Sequence, residues 1–476
     1  MEHKLNGRLI RPYQSEGVKW MVERELDDNV KGGILCDEMG LGKTVQTLAM
    51  MLVNFKPRTL IIVPKSIVGQ WVSEVKKFAP TLTVMGFDGP DRKITQYSFP
   101  NVIIAPYSII PTRANGETCP LIYEKWDRVI LDEGHEIRNP KSKTSVSVRR
   151  LDAEIKWILT GTPVFNSIRD FVTLAGFIGI SRNEVQAYTD NIRNKFVLRR
   201  TKLDLALICK RLELPKCIFD NVELEMYPDE KELYEEVFRN GQGVVKSIVG
   251  NSMANFRQME MLEALLRVRQ VMTWPQMYLD GIAKKEDTDP VLWSFPSKKM
   301  ETLMELIKSH PKEKSLIFCQ FVGEMDEIQR RLTLEKISTL RIDGSVTGDA
   351  RDERISLFRK GVSNTVFLIQ IKAGGVGLNL QEATRIYITS PSWNPATELQ
   401  AIGRAHRTGQ TNVVHVKRLV YAIENSVEMS IMQLQESKAK ICAQLLNDPR
   451  LETQIVNTPK TVMNVATLKK IFSVVK

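Results

Sequence analysis

The sequence predicts an α/β protein with two domains, each built on a doubly wound parallel sheet, and a helical insert between them. Two observations lead to this fold class. Short runs rich in Ile, Val and Leu alternate with amphipathic helical patterns early in the chain, and the same alternation resumes after a mainly helical stretch. Strands covered by helices on both faces are continuous apolar runs of this kind.

The first domain is predicted to comprise residues 1–200. Its strands are the apolar runs Gly33–Cys36, Thr59–Lys65, Asn101–Tyr107, Arg128–Leu131 and Lys156–Thr160. Amphipathic segments such as Val45–Phe55 and Val68–Phe78 lie between these runs, and they predict the connecting helices.

A helical insert and linker are predicted over residues 201–295. The linker is the polar stretch Lys284–Lys299, which contains two prolines. The segment Ser252–Met272 predicts a helix packed into a local core, and an arm that touches a ligand is the alternative. Its apolar residues at helical spacing are Met253, Phe256, Met259, Leu262, Leu265, Leu266 and Val268.

The second domain is predicted over residues 296–450 and is followed by a tail, residues 451–476. The predicted strands are Ser315–Gln320, Leu340–Asp343, Thr365–Gln370 and Arg385–Thr389. In the tail one helical face collects Val465, Leu468, Ile471, Phe472 and Val475. We expect this face to pack back on the body of the protein, with a partner protein as the alternative.

The composition is that of a globular protein. Hydrophobic residues make up 43% of the 476 positions and charged residues 26%, which excludes a disordered or fibrous class. The net charge of +11 suggests a polyanionic partner, although solubility also accounts for it. The six cysteines form no C-x-x-C pair, so their spacing offers no zinc or RING module and fits a reducing compartment.

The N-terminus and the hydropathy pattern exclude a secretory or membrane class. The first residues are too polar for a signal peptide, and no apolar run is long enough to span a bilayer. We therefore expect a soluble intracellular protein that does not associate with a membrane.

The segment DEMGLGKT, Asp37 to Thr44, is a candidate phosphate loop because it follows a strand and opens a helix. Gly40 and Gly42 let backbone amides approach a phosphate, Lys43 supplies a positive charge, and Thr44 offers a hydroxyl to Mg²⁺. The strict pattern has glycine where this chain has Asp37, so the loop departs from it there.

The segment VILDEGH, Val129 to His135, carries the candidate metal-binding and catalytic carboxylates at the end of a strand. Ligands of α/β sheets bind beyond the carboxyl ends of strands. Asp132 can hold Mg²⁺ through a water molecule, and Glu133 can polarise the water that attacks the γ-phosphate. His135 either couples the two domains or fills a polar niche.

The segment LTGTPVFNS begins at a further strand end, where Thr160 and Thr162 offer hydroxyls near the nucleotide. Gly161 and Pro163 predict a tight turn between them.

The second domain lacks a G-K-T sequence but contains QAIGRAHRTGQ, Gln400 to Gln410. Arg404 and Arg407 are three residues apart, which predicts that they share one helix face. A guanidinium pair suits the charge that develops on a transferring phosphoryl group. We therefore interpret both as arginine fingers that reach ATP held by the first domain, so that hydrolysis depends on domain closure.

A second glycine-rich segment, KAGGVGLNL from Lys372 to Leu380, follows a predicted strand. Gly375 and Gly377 suit a close backbone approach to a phosphate of ATP or of a nucleic acid, and a flexible turn is the alternative.

In this order the motifs resemble helicase superfamily 2, from Leu9 to about Ile441, and more specifically the Swi/Snf-type ATPases, which track along duplex DNA. The segments that carry the closer resemblance are DEMGLGKT, IIVPKSIVGQW, DEGH, LTGTP, GGVGLNL and QAIGRAHRTGQ, with FVLRRTK, LLRVRQ, RIDGSVTG and SPSWNPA in support. DEGHEIRNP is similar to the branch of postreplication-repair translocases and the helicase-like transcription factor. Those relatives usually carry a RING, which the cysteine spacing excludes here.

The resemblance implies two RecA-like domains, ATP and Mg²⁺ as cofactors, and double-stranded DNA bound without sequence specificity. It implies that Gln14, in LIRPYQSEGVKWM, reads the adenine. The DNA contacts that it implies are Lys65, Ser66, Tyr107, Ser108, Gln320, Gly344, Lys372 and Trp393. For Trp393 a place in the core is an equal alternative.

The predicted function is an ATP-dependent translocase on double-stranded DNA that moves along or remodels DNA or protein–DNA complexes. A strand-separating helicase on DNA or RNA is the first alternative, and an ATP-gated clamp with little turnover is the second. The presence of Lys43, Asp132, Glu133 and Arg407 argues against the clamp. A nucleus or a viral replication site is the expected compartment, a bacterial cytoplasm fits as well, and no protein partner is indicated.

Overall fold

The computed structural model describes most of the chain. The described residues are 5–6, 9, 11–88, 99–111, 118–161, 168–201, 204–205, 215–249, 257–346, 349–361, 364–371, 379–393, 395–407, 409–424, 426–446 and 465–472. The chain divides into two compact units, Met1–Glu213 with Ile441–Pro449 and Leu214–Lys440 with Arg450–Lys476, which are here the first and the second domain.

The first domain is built on a seven-stranded parallel sheet with the order β3-β4-β2-β5-β6-β1-β7. Its strands are β1 (Gly32–Leu35), β2 (Thr59–Val63), β3 (Val84–Gly86), β4 (Val102–Pro106), β5 (Lys125–Asp132), β6 (Asp152–Leu159) and β7 (Val197–Leu198). Its helices are α1 (Pro12–Glu25), α2 (Lys43–Val53), α3 (Val68–Phe78), α4 (Lys143–Val148), α5 (Ile168–Phe177), α6 (Arg182–Ala187) and α7 (Thr189–Phe196).

All five strands predicted for this domain are present. Every residue of β1, β2 and β4 is buried, as their uninterrupted apolar runs predict. The two edge strands, β3 and β7, were not predicted. Both are short and only partly buried, so neither leaves a long apolar run in the sequence.

Helix α1 is fixed to the sheet by a buried ion pair. Glu25, at its end, accepts hydrogen bonds from Arg128 of β5, with an Nη2–Oε2 distance of 2.6 Å. The indole of Trp157 on β6 donates to the same carboxylate at 2.8 Å. The helix that carries Gln14 therefore has a defined position on the first sheet.

The second domain contains a six-stranded parallel sheet with the order β10-β11-β9-β12-β13-β8. Its strands are β8 (Cys217–Leu224), β9 (Ser315–Cys319), β10 (Thr339–Ile342), β11 (Val366–Gln370), β12 (Arg385–Ile388) and β13 (Val414–Tyr421). Its helices are α8 (Pro228–Val249), α9 (Gln258–Thr273), α10 (Pro275–Glu286), α11 (Lys298–Lys308), α12 (Val322–Leu334), α13 (Asp349–Lys360), α14 (Pro395–Ile402), α15 (Val427–Leu446) and α16 (Val465–Ile471). The end of α15, from Ile441, is assigned to the first domain.

Both faces of this second sheet are buried at its centre. Along β9, Ile317 and Cys319 belong to one apolar cluster, whereas Leu316 and Phe318 belong to another on the opposite face. The prediction of an α/β protein with two doubly wound parallel-sheet domains is therefore confirmed.

Strands β8 and β13, which pair in parallel over eight residues each, were not predicted. β8 is an edge strand and most of its side chains are exposed or only partly buried. β13 is interrupted in sequence by Lys417 and Arg418, and the Arg418 side chain is buried because it pairs with Glu398 at 3.0 Å. Because of this buried ion pair, β13 lacks the continuous apolar run from which a buried strand is predicted.

The helices of the predicted insert belong to the second domain. In α9, Met261, Leu265 and Val268 join the same apolar cluster as residues of α8, which confirms a helix packed into a local core. The predicted stripe is wrong at Met259 and Leu266, which are 74% and 39% exposed, because the buried face is turned toward Met261. Met253 and Phe256 lie outside the described residues.

The C-terminal helix α16 packs on the second domain. Leu468, Ile471 and Phe472 are buried in the cluster that also contains α8 and α9. The Phe472 ring lies so close to Gly241 of α8 that a Cβ there would come within 2.6 Å of it. The described part of the tail therefore packs back on the protein, and Val475 lies outside the described residues.

No described helix is both long and apolar enough to cross a bilayer. Among the described cysteines, Cys36 and Cys319 are buried free thiols, as their apolar surroundings in the sequence predict.

Candidate functional site

The candidate nucleotide residues of the first domain lie at one edge of its sheet. In the strand register Leu35 of β1 is aligned with Leu159 of β6, which is aligned with Asp132 of β5. Because neighbouring strands are about 4.8 Å apart, the segments that follow these three residues lie side by side. The sheet therefore brings together the phosphate loop, Thr160 and Gly161, and the carboxylates Asp132 and Glu133.

The phosphate loop has the backbone that an anion site requires. Gly40 and Gly42 have φ values of 89° and 81°, a left-handed region that favours glycine. Helix α2 begins at Lys43, and its N-cap residue Gly42 has no side chain to cap the first-turn amides, which follow directly on the loop. The Lys43 ammonium donates to the backbone oxygen of Asp37 at 2.8 Å, which places its charge inside the loop.

Asp37 anchors the loop through its side chain. The carboxylate is fully buried and accepts from Arg200, with an Nε–Oδ1 distance of 2.9 Å, and from Gln46 at 3.1 Å. Arg200 also donates to Gln46 Oε1 at 2.7 Å and to the carbonyl of Tyr13. The side-chain oxygens of Asp37, a candidate cofactor-binding residue of the phosphate loop, therefore have their hydrogen-bond partners within the protein.

Arg200 and Gln46 are functional candidates that the motif analysis missed. Arg200 lies in the segment FVLRRTK, which supports the family resemblance. No residue of that segment was assigned a role from the sequence. Replacing Arg200 with glutamine should leave the buried Asp37 carboxylate without its charged partner. Loss of a charge-assisted hydrogen bond costs about 1.5–3 kcal/mol, so we expect nucleotide affinity to fall about ten- to a hundredfold.

Titration with a fluorescent adenine nucleotide measures this change. Arg193→Gln is the control, because Arg193 is about as shielded as Arg200 but pairs at 2.9 Å with Asp190 on α7, whose side chain is exposed and away from the loop. Equal nucleotide affinities of the Arg200 variant and the unmodified protein would contradict the anchoring role.

Gln14 lies against the phosphate loop. Its Nε2 donates to the Leu41 carbonyl at 3.3 Å, and a Cβ on Gly42 would come within 2.5 Å of the same nitrogen. The Tyr13 hydroxyl donates to the Leu41 carbonyl as well, at 3.1 Å. Gln14 is thus next to the loop, and its reading of adenine stays a prediction.

Both oxygens of the Asp132 carboxylate accept hydrogen bonds. Its carboxylate accepts from Trp71 Nε1 at 2.8 Å and from the Glu133 amide at 3.0 Å. Burial, and then the charge of Glu133, raise the pKa of Asp132 to about 6. A bound cation would favour the ionised form and oppose this shift.

Glu133 has the left-handed backbone conformation, with φ of 51°, that is unusual for a residue other than glycine. Its carboxylate lies 3.3 Å from Nδ1 of His135, whose Nε2 is 3.8 Å from Glu136. Strained backbone of this type occurs often at functional sites. The contacts of His135 with Glu133 and Glu136 place this side chain in a polar niche of the first domain.

Gly161 lies against the phosphate loop. A Cβ at this position would come within 2.5 Å of the Met39 side chain and 3.1 Å of the Lys43 ammonium. Thr160 next to it is buried, and its amide donates to the Leu35 carbonyl at 3.0 Å. Thr162 and Pro163 lie outside the described residues.

The arginines of the second domain do not share a helix face. Helix α14 ends at Ile402, and the chain then turns, with the Arg404 carbonyl accepting from the Leu380 amide at 2.9 Å. The predicted helix face is wrong because Gly403 follows the helix and favours its termination. The Arg404 side chain is buried and that of Arg407 is partly exposed.

Gln410 holds the segment that contains both arginines. Its Nε2 donates to the carbonyl of Gln381 at 2.8 Å, of Ala383 at 3.2 Å and of Ala405 at 3.4 Å. The backbone of this segment is therefore fixed to the loop before β12. Gly375 and Gly377 lie outside the described residues.

Three of the candidate DNA contacts are exposed at the carboxyl edge of the first sheet. Lys65 and Ser66 are in the 3₁₀ turn after β2, and Ser108 is in the 3₁₀ turn after β4. These strands are neighbours, with Val63 aligned with Pro106. The prediction is wrong for Tyr107, whose side chain is 6% exposed and whose hydroxyl donates to the Asp132 carbonyl at 2.9 Å.

The candidate DNA contacts of the second domain differ in their surroundings. Gly344 is exposed and its amide donates to Gln370 at 3.2 Å, and Gln320 Nε2 donates to the Ser390 carbonyl at 3.5 Å. Trp393 packs against the apolar core, and the Arg269 guanidinium lies 5.0 Å from its ring centroid, which favours the core alternative. Lys372 lies outside the described residues.

No group of three or more His, Cys, Asp or Glu side chains within the described part of the chain could hold a metal ion. A magnesium ion that is bound with a nucleotide does not need such a cage, because phosphate oxygens and water supply most of its ligands. Thr44 and Asp132 therefore stay the predicted protein ligands of magnesium.

Two protein families match this chain. Residues 13–193 match the SNF2-related domain, and residues 298–409 match the helicase conserved C-terminal domain. These ranges contain the phosphate loop and DEGH in the first case, and the two arginines in the second.

Similar proteins come from fungi, viruses and archaea. The TATA-binding protein-associated factor mot1 of Aspergillus fumigatus is 28% identical over 92% of this chain and 27% of its own length. A probable global transactivator of Orgyia pseudotsugata multicapsid polyhedrosis virus is 27% identical, over 98% of this chain and 95% of its own. The Sulfolobus solfataricus SWI2/SNF2 ATPase core in complex with dsDNA is 26% identical, with coverage of 99% and 98% and a TM-score of 0.41.

The chain spans only part of several curated relatives. It covers 27% of the Aspergillus protein and 50% of the putative ATP-dependent helicase/translocase YwqA of Bacillus subtilis, to which it is 31% identical.

Proposed function

The chain belongs to the SNF2-type ATPases of helicase superfamily 2, and we propose that it is an ATP-dependent translocase on double-stranded DNA. The observation that carries the proposal is the shared sheet edge of the first domain. There the phosphate loop lies on one side of Asp132 and Glu133, and the exposed residues Lys65, Ser66 and Ser108 lie on the other.

The phosphate loop fits an ATP–Mg²⁺ complex. The α2 amides and Lys43 would hold the phosphates, and Thr44 and Asp132 would hold the metal, whose charge stabilises the transferring phosphoryl group. Glu133 is next to the metal ligand in sequence and accepts the proton of the attacking water. Gln14 contacts the loop from α1 and is placed to read the base.

Arg404 and Arg407 supply the remaining positive charge. The second-domain sequence contains no G-K-T, so these arginines serve the nucleotide held by the first domain. Hydrolysis then requires the domains to close, and a nucleic acid that favours closure accelerates it.

The contacts with nucleic acid involve the phosphate backbone. Contacts that a lysine, two hydroxyls and backbone amides make with phosphates do not depend on the base sequence. Binding is therefore non-specific and weakens steeply with salt, because each neutralised phosphate releases counterions.

Movement without strand separation distinguishes a duplex translocase from a helicase. We expect the protein with ATP to displace the third strand of a labelled triplex, and to leave a forked duplex intact. A nonhydrolysable ATP analogue and Lys43→Ala serve as controls, because both prevent turnover. ATP-dependent unwinding of the fork without triplex displacement would favour the strand-separating helicase instead.

A further inference from the structure

We propose that Trp71 and Tyr107 are positioning residues that transmit DNA binding to Asp132 and Glu133 within the first domain. This inference rests on the proposed function, since it assumes that DNA lies at the turns after β2 and β4. It assigns a role to two buried side chains that both donate hydrogen bonds to Asp132.

The strand order makes such a connection possible. β5, which ends at Asp132, lies between β2 on one side and β6 on the other, with β4 beyond β2. The phosphate loop follows β1, on the β6 side of β5. Asp132 is thus between the nucleotide loop and the turns that carry Lys65, Ser66 and Ser108.

Trp71 connects the turn after β2 to the Asp132 carboxylate. Helix α3 begins at Val68, directly after the 3₁₀ turn Lys65–Ile67, and Trp71 is in its first turn. The indole is 2% exposed and donates to Asp132 Oδ2 at 2.8 Å. A shift of the exposed turn therefore moves the donor that orients this carboxylate.

Tyr107 connects the turn after β4 to the backbone of Asp132. Tyr107 begins the 3₁₀ turn Tyr107–Ile109, in which the neighbouring Ser108 is exposed. The Tyr107 hydroxyl donates to the Asp132 carbonyl at 2.9 Å. In this turn the Ser108 side chain is thus exposed on the surface, whereas the Tyr107 side chain contacts Asp132.

Both hydrogen bonds act on the peptide unit that precedes Glu133. The carbonyl that accepts from Tyr107 and the Glu133 amide belong to the same planar peptide, and that amide donates to Asp132 Oδ1 at 3.0 Å. The other oxygen of this carboxylate is held by Trp71. Rotation of this peptide changes the direction of the Glu133 side chain, whose left-handed backbone is already unusual.

Trp71→Phe and Tyr107→Phe remove one hydrogen bond each and leave an aromatic ring at each position. Both variants should bind duplex DNA with unchanged affinity, whereas the ratio of DNA-stimulated to basal ATPase activity should fall about tenfold. Fluorescence anisotropy measures the affinity and a steady-state assay measures the ratio.

The chain offers matched controls for both substitutions. Trp126 is a buried tryptophan of the same domain whose indole donates to the Leu121 carbonyl at 3.0 Å. Tyr387 is a buried tyrosine whose hydroxyl donates to the Leu306 carbonyl at 3.0 Å. Trp126→Phe and Tyr387→Phe remove equivalent hydrogen bonds away from Asp132, so their stimulation ratio should equal that of the unmodified protein.

Tryptophan fluorescence gives a measurement that does not depend on activity. Duplex DNA should change the emission of the unmodified protein and of Trp126→Phe by the same amount, and this change should be smaller in Trp71→Phe because the contribution of Trp71 is lost. Its presence at full size in Trp71→Phe would overturn the inference for Trp71.

The activity results separate failure of this inference from failure of the proposed function. An unmodified protein that duplex DNA does not stimulate would contradict the proposed function itself. If the unmodified protein is stimulated, equal losses of basal and stimulated rates in Trp71→Phe and Tyr107→Phe would mean that these residues support the site whether or not DNA is bound. That result would overturn the inference that they transmit DNA binding. A loss of duplex affinity in Tyr107→Phe would indicate a direct DNA contact, and would also overturn it.

Discussion

Replacing Arg407 with alanine is expected to lower kcat by about 10³–10⁵-fold, the range for an arginine finger in other phosphoryl-transfer enzymes. Nucleotide affinity should change much less, because the guanidinium acts on charge that develops in the transition state. Arg407 is the more suitable of the two arginines for this test. Its side chain is partly exposed, whereas Arg404 is buried and its replacement also disturbs packing.

Steady-state hydrolysis at saturating ATP and duplex DNA measures the change in kcat. Arg330→Ala is a suitable control, because Arg330 is an exposed arginine of the second domain that pairs with Glu327 on α12. For Arg404 the informative variant is lysine, which keeps the charge but loses the planar fork of donors. A kcat within a few-fold of normal in Arg407→Ala would remove that residue from the catalytic site.

Replacing Glu133 with glutamine is expected to abolish most hydrolysis while ATP still binds. Loss of a general base costs about 10²–10⁴-fold in rate, and the phosphate contacts of Lys43 and the α2 amides remain intact in this variant. Lys43→Ala should behave differently, since it removes charge from the loop and weakens ATP binding as well as turnover.

Single-turnover hydrolysis together with nucleotide titration separates these two outcomes. Glu136→Gln is the matched control for Glu133→Gln, because Glu136 is in the same turn and also faces His135, at 3.8 Å. Hydrolysis should be nearly normal in the control. Near-normal turnover in Glu133→Gln would exclude Glu133 as the base.

The predicted strands were found wherever burial on both faces leaves an apolar run. β1, β2 and β4 are completely buried and were predicted, whereas the edge strand β8 is largely exposed and was not. β13 was missed for another reason, the burial of Arg418 against Glu398. Apolar patterning therefore reports the middle of a sheet better than its edges or its buried ion pairs.

The motifs placed the nucleotide residues near one another, but they did not reveal the partners that hold them. Asp37 departs from the phosphate-loop pattern, and Arg200, the partner that accounts for its carboxylate, is 163 residues away. Trp71 and Asp132 are 61 residues apart, and Tyr107 and Asp132 are 25 apart. Contacts over such separations depend on strand order, which local sequence patterns do not contain.

The rate of ATP hydrolysis with different nucleic acids tests the proposed function most directly. It is measured at one low salt concentration with no nucleic acid, single-stranded DNA, duplex DNA or RNA, and again with duplex DNA at increasing salt. We predict the highest rate with duplex DNA of unrelated sequences, and a decline toward the basal rate as salt rises. Stronger stimulation by RNA than by duplex DNA, or no stimulation by duplex DNA, would contradict a duplex-DNA translocase.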